Sequence, residues 1–212
     1  MAHDAHDDLT RHWQALWRNA GGTPAPDLLT RLMAAYSEPH RHYHTLQHLC
    51  ECLAHLQIMA HVPDHPDEVG LALWFHDAIL ESGHQDNEAR SAEWARQALL
   101  DAGLPETRAN RVADLIMTTC HNAIPAGIDA KVLVDIDLGI LGASPIRFDE
   151  YERQVREEYS HLPESVFRMG RLQVLQHFLD RPRLYSTTEF FEKYEGQARE
   201  NLARSIRALQ GK

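Results

Sequence analysis

The sequence predicts an all-α protein, folded as a single helical domain over residues 1–212. Two observations carry this. Apolar residues recur with a period near 3.6 in window after window, and no window alternates in the manner of a half-buried strand. Proline and glycine fall between these windows, where they start and stop helices. No linker, repeat or low-complexity tract interrupts the pattern.

Residues 8–19 place His12, Trp13, Leu16 and Trp17 on one face and stop at Gly21-Gly22. Residues 26–36 open with Pro26, suited to a first helical position because its missing N–H would have had no partner there. Leu28, Leu29, Leu32 and Met33 form their apolar face, and Pro39 ends the segment. A third helix is expected over 44–60, with Leu46, Leu49, Leu53, Leu56 and Met59 as its buried stripe, broken by Pro63 and Pro66. The segment 67–80 follows and is apolar nearly all round, which marks a buried helix. Helices over 88–102, capped by Gly103, and over 106–121 come next, then a loop over 122–127. Residues 130–141 contain Val132, Val134 and Ile136 and could pass for a strand, but nothing in the chain offers to pair with them, so helix is expected. Three further amphipathic helices are expected over 148–161, 164–179 and 188–209.

Composition bounds the function. A formal charge of −10 and a pI near 5.8 leave no electrostatic footprint for nucleic acid or an anionic membrane surface. No stretch approaches the roughly 18 apolar residues of a membrane span, and the acidic N-terminus carries no apolar signal segment, so the cytoplasm is the expected compartment. Cys50, Cys52 and Cys120 make no disulfide framework, and the C-x-C pair has no second pair to complete a zinc site. Fifteen histidines are many, and those beside carboxylates or at helical spacing deserve a chemical reading. Trp13, Trp17 and the C-terminal helix are expected in the core or, alternatively, in a homo-oligomer contact.

Ionisable groups interrupt apolar sequence at three places. His44 and His48 lie four residues apart, on one face if both are helical, with Leu49 and Leu53 alongside. His76 and Asp77 sit together inside the 67–80 segment. Asp135 and Asp137 sit inside the 130–141 segment. A buried carboxylate is costly unless paired or metal-bound. The doublet by itself reads as a hydrogen-bonded pair tying two helices together. Three segments carrying buried groups of metal-ligand type suggest instead one shared cation that neutralises the carboxylates.

The ordered set His48, His76-Asp77, Asp137 resembles the HD superfamily of metal-dependent phosphohydrolases, named for its His … His-Asp … Asp ligands. Tyr43-His44-x-x-x-His48 is similar to the Tyr-His-Asn-x-x-His of the cyclic nucleotide phosphodiesterases, with Thr45 standing where those enzymes have Asn. Phe75-His76-Asp77-Ala78 and Asp135-x-Asp137 look like the family's other two signatures, and Glu195 to Leu202 resembles a bacterial branch of uncharacterised predicted HD phosphohydrolases. The resemblance implies an HD-type helical bundle, with a metal core over about 41–141 completed by helices over 148–209. It implies that His48, His76, Asp77 and Asp137 hold one or two divalent ions drawn from Mn, Mg, Fe, Co, Ni and Zn. Asp135 would orient a ligand or serve the structure. The implied reaction is hydrolysis of a small phosphate ester, a nucleotide, by metal-activated water. His44 would protonate the leaving oxygen, and Asp77 would orient the nucleophile or bridge a second ion. Glu88 is a second candidate for proton transfer, or else a carboxylate favoured by its place in a helix's first turn.

A phosphate needs positive groups. Arg41, three residues before His44, and Arg153, Arg156 and Arg171 on later helices are candidates, with His121 as a further member of the pocket wall. Two rivals stay open. One is an HD-fold di-iron oxygenase that conscripts His44 and His121 as extra ligands, and the other is a non-catalytic metal-binding module.

Overall fold

Helical periodicity is realised throughout. A computed structural model describes residues 2–121 and 123–211, and among them there are ten α-helices and no strand. Asn122, which opens the loop expected over 122–127, lies outside the described residues. Contacts group the chain into two compact units, Met1–Val134 and Asp135–Lys212. The division falls inside a helix, which is why no linker composition announces it.

The first unit contains α1 (Ala2–Ala20), α2 (Leu28–Ala35), α3 (Leu46–Met59), α4 (Pro66–Phe75), α5 (Asn87–Asp101), α6 (Glu106–Met117) and the start of α7 (Ile128–Asp137). A short 3₁₀ turn, Thr118–Cys120, follows α6. The centre of this unit is α4, which packs against α1, α3, α5 and α6 and is buried without interruption from Glu68 to Phe75. Gly70 allows that closeness, since a Cβ there would come within 2.8 Å of Leu16 on α1. Trp74 meets Trp13 edge-on with ring centroids 5.0 Å apart, and its indole N–H donates to His12 Nδ1 at 3.3 Å. Trp13 and Trp17 are therefore core residues, both at least 95% buried.

One charge inside α4 is Glu68, only 1% exposed. It is satisfied from α6, by Arg108 Nε at 2.9 Å and by two donors of Arg111 at 2.8 and 2.6 Å. Upstream, His65 ties the start of α4 to Asp129 at the start of α7. Its backbone N–H and its ring Nδ1 reach the two oxygens of that carboxylate at 3.1 and 2.8 Å.

The second unit holds the end of α7, a 3₁₀ turn over Leu138–Gly142, α8 (Pro145–Glu158), α9 (Glu164–Leu179) and α10 (Thr188–Gln210). The segment expected as one helix over 130–141 thus starts as α-helix and tightens in its last turn. Here α10 packs on α9 and on the 3₁₀ turn. Asp135, fully buried, accepts from the backbone N–H groups of Ser186 and Thr187 at 2.8 and 2.7 Å and from the Thr187 hydroxyl at 2.6 Å. It therefore caps the start of α10 and is structural.

The Glu195–Leu202 stretch is architecture as well. Glu195 accepts from the N–H groups of Leu184 and Tyr185, Arg199 donates to the carbonyls of Leu179, Arg181 and Pro182, and Asn201 donates to those of Leu141 and Ala143. Among the described residues no helix is long and apolar enough to cross a membrane.

Two outcomes test this packing. A Cβ on Gly142 would lie 2.6 Å from Tyr194 Cβ and 2.9 Å from the Tyr194 carbonyl oxygen, so Gly142→Ala should cost about 1–3 kcal/mol of stability. An unchanged denaturation midpoint would contradict the close approach. The hydrogen bond to Asp129 raises the pKa of His65 above its ordinary 6.5. A raised folded value means that the contact contributes fully below pH 6.5 and fades as pH climbs through the His65 midpoint. Resonance titration should show that elevated midpoint, and Asp129→Asn should return it to the ordinary value.

Candidate metal centre

The doublet His76-Asp77 does not lie within α4, as the apolar run over 67–80 suggests. The helix ends at Phe75, and His76 is its C-cap. Tertiary partners end it, by taking the backbone groups that would have continued the ladder. The Asp77 N–H donates to the Tyr36 hydroxyl at 3.4 Å and the Ile79 N–H to the Ser91 hydroxyl at 3.0 Å. Arg41 donates to the carbonyls of Asp77 and Ala78 at 2.6 and 3.2 Å, and His40 Nε2 lies 2.9 Å from the carbonyl of Leu80. Glu81 exchanges two hydrogen bonds with the Asn87 side chain. The turn that carries the doublet is thus pinned by α2, by the segment before α3 and by α5.

The third helix begins at Leu46, two residues after the expected start at His44. Thr45 is its N-cap, accepting from the Gln47 N–H at 3.3 Å, so His44 precedes the helix and only His48 lies on it. The two rings still come together, edge to face with centroids 5.9 Å apart. The pairing comes from the cap turn instead of from helical spacing.

Three donor atoms converge in the first unit. His48 Nε2 lies 3.1 Å from His76 Nε2, and Asp77 Oδ2 lies 3.0 Å from His76 Nε2 and 3.5 Å from His48 Nε2. His76 Nδ1 sits 2.8 Å from the Leu73 carbonyl, which can only accept, so Nδ1 keeps the proton and Nε2 presents its lone pair. Tyr43 Oη meets His48 Nδ1 at 3.1 Å and turns its Nε2 towards the same point. Asp77 Oδ2 is buried and accepts no hydrogen bond, since the nearest nitrogen carries a lone pair when its ring is neutral.

Three acceptor atoms facing one another repel unless a proton or a cation lies among them. Donors that share one ion at bond lengths of about 2.0–2.3 Å stand about 3–3.7 Å apart, the range found here. The donor set therefore fits a divalent ion. Burial pushes the Asp77 carboxyl up, and only positive charge on His76, His44 and His48, when those rings are protonated, outweighs it and brings the group below the usual carboxylate range. Burial, with the Asp77 carboxylate nearby, pushes the Tyr36 hydroxyl well up, so Tyr36 stays neutral beside it.

Cys52, which sequence reasoning set aside, belongs to this group. It lies one helical turn after His48, is 2% exposed, and offers its sulfur within 4.8 Å of the ligand atoms of His48 and His76. The spacing His48-x-x-x-Cys52 was the available signal. It was hidden by reading Cys52 only against Cys50.

Asp137 is the last residue of α7 and is half-buried. Glu88 stands in the first turn of α5, near enough to Cys120 that, after burial, its charge is the next cause raising that thiol's pKa. His121 closes the 3₁₀ turn after α6 in a left-handed conformation, φ 55°, instead of ending a helix. Arg41 is buried, its guanidinium stacked over Tyr36 and bonded to Glu38 and to the carbonyls of His44, Asp77 and Ala78. In the second unit Arg153 is exposed, Arg156 holds Glu164 and the carbonyls of Tyr159 and Leu162, and Arg171 pairs with Glu152 over the Tyr151 ring.

No family model, curated protein or solved structure matches the chain.

Removing Arg41 would orphan the carbonyls of His44, Asp77 and Ala78 and take the guanidinium from Glu38. Arg41→Ala should destabilise the protein by about 2–5 kcal/mol. Arg41→Lys should recover only part of this, because one ammonium cannot span carbonyls that the planar guanidinium bridges. Chemical denaturation of the three proteins checks the ranking, and equal midpoints would remove the clamp from the account.

Proposed function

We propose that this protein is a metal-dependent phosphohydrolase acting on a small phosphate ester, with a nucleotide as the favoured class. The observation that carries the metal-binding part is the buried convergence of His48 Nε2, His76 Nε2 and Asp77 Oδ2, at 3.0–3.5 Å, with the His76 tautomer set for ligation. Asp137, at the end of α7, is the fourth ligand in this proposal, assigned from its place in the ordered His, His-Asp, Asp sequence. The hydrolytic part rests on that same order and on the charge balance. An acidic chain attracts a phosphate poorly at long range, so attraction must be local.

When bound, the ion supplies Lewis acidity to a phosphoryl oxygen and acidifies a water molecule. The chain's own residues do the rest. Asp77 stays ionised against its burial and so can both ligate and orient the attacking water. His44, edge-on to His48 and close enough to Asp77 to depress its pKa, is the assigned proton donor to the leaving oxygen. Tyr43 and the Leu73 carbonyl hold the two imidazoles by their far nitrogens, which fixes ring orientation and preserves ligand basicity. Arg41 acts through the backbone of the doublet turn and is a positioning residue.

The test combines metal content with a substrate screen. Protein reconstituted with Mn, Mg, Fe, Co, Ni or Zn should bind one or two ions per chain. It should hydrolyse at least one member of a panel of phosphate monoesters, nucleoside mono- and triphosphates, cyclic nucleotides and guanosine polyphosphates. Asp77→Ala should lose both bound metal and hydrolysis while keeping its helical circular-dichroism spectrum. A metal-loaded protein inert across the panel would sink the hydrolase reading, and a mixed-valent iron pair in electron paramagnetic resonance would replace it with the oxygenase.

A further inference from the structure

Cys52 differs from the other two cysteines in what surrounds it. Cys50 lies two residues earlier on α3, so it projects to another side of the helix, and is half-buried. Cys120 is half-buried beyond α6 and near Glu88. Cys52 is buried against an imidazole, its sulfur 3.7 Å from His48 Nε2 and 3.8 Å from Nδ1. A buried cysteine is often a small apolar filler. This one lies against the His48 ring with its sulfur within 4.8 Å of the ligand nitrogens of His48 and His76, and that ring's Nε2 is already turned towards His76 and Asp77. The sulfur, the two ring nitrogens and the carboxylate oxygen thus come from three successive places: one turn of α3, its preceding turn and the end of α4.

We propose that Cys52 is itself an inner ligand, so that the centre is a mixed sulfur, nitrogen and oxygen site. The inference rests on the metal-centre reading and sharpens it by naming the class of ion. On binding, the S–H bond gives its proton to solvent and a sulfur–metal bond forms, with no change in oxidation state. A thiolate shifts preference away from the hard ions magnesium and manganese and towards zinc, cobalt or ferrous iron. His48 and Cys52, four residues apart on one rigid helix, then form a preorganised pair of donors, and the doublet turn supplies two more.

The test is a cobalt(II) titration of the 212-residue protein, kept reduced and anaerobic, followed by absorption. The expected result is a near-ultraviolet thiolate-to-cobalt charge-transfer band that saturates with the first equivalent. Zinc should abolish it, and excess magnesium should leave it in place. The Cys50→Ser/Cys120→Ser double variant should keep the band, and Cys52→Ser should lose it while retaining the weaker visible bands of cobalt. The double variant assigns the sulfur by elimination even if Cys52→Ser does not fold. Cobalt that binds with visible bands but no charge-transfer band overturns the cysteine ligand and leaves the metal centre standing. A band lost in the double variant also overturns it. No cobalt binding at all overturns both.

Discussion

A carboxylate at the C-terminal end of a buried apolar helix is the constraint on which the first unit depends. Helix C-termini already carry partial negative charge on unpaired carbonyls, so Asp77 adds a full charge where the field is least favourable. The surroundings answer on two sides. On the backbone side, Arg41 places a buried cation across the carbonyls of Asp77 and Ala78. On the side-chain side, it is positive charge among His76, His48 and His44, present when the rings are protonated, that holds the carboxyl ionised. Removing either answer leaves a buried negative group without compensation, which is more costly than the interaction itself is favourable.

The second unit solves the same problem with the opposite pole. Asp135 is as buried as any residue in the chain, yet it faces the N-terminus of α10, where unpaired N–H groups and the helix dipole welcome a carboxylate. Two acidic residues set into apolar sequence therefore have different meanings. Asp135 is satisfied by backbone donors and holds two elements together. Asp77 has its Oδ2 left among nitrogen lone pairs, an arrangement that is only comfortable around a positive charge.

Rigidity follows from burial. The helix α4 is covered on all sides by α1, α3, α5 and α6, and its one internal charge, Glu68, is tied down by Arg108 and Arg111. A ligand at its end inherits that immobility, because the turn after it has long-range partners for most of its backbone groups. Metal sites need donors held in place before the ion arrives, and this is one way to hold them.

The sequence by itself determined the helical class, the breaks between elements and the residues His48, His76 and Asp77, because apolar period, proline position and misplaced charge are all local properties. It also carried α9 from end to end. Other features were decided only by tertiary structure. The helix before the doublet stops at Phe75 because Tyr36, Arg41 and Ser91 compete for the backbone that follows, and none of them adjoins it in sequence. Arg41 looks like a phosphate ligand in a linear reading and is a buried clamp in space. Asp135 and the residues from Glu195 to Asn201 carry the look of a signature, yet their partners lie 10 to 60 positions away and make them architecture. Cys52 became part of the site only when His76, 28 residues beyond His48, was brought against the same ring. Periodicity is written along the chain, whereas the partner that satisfies a buried polar group is chosen by packing.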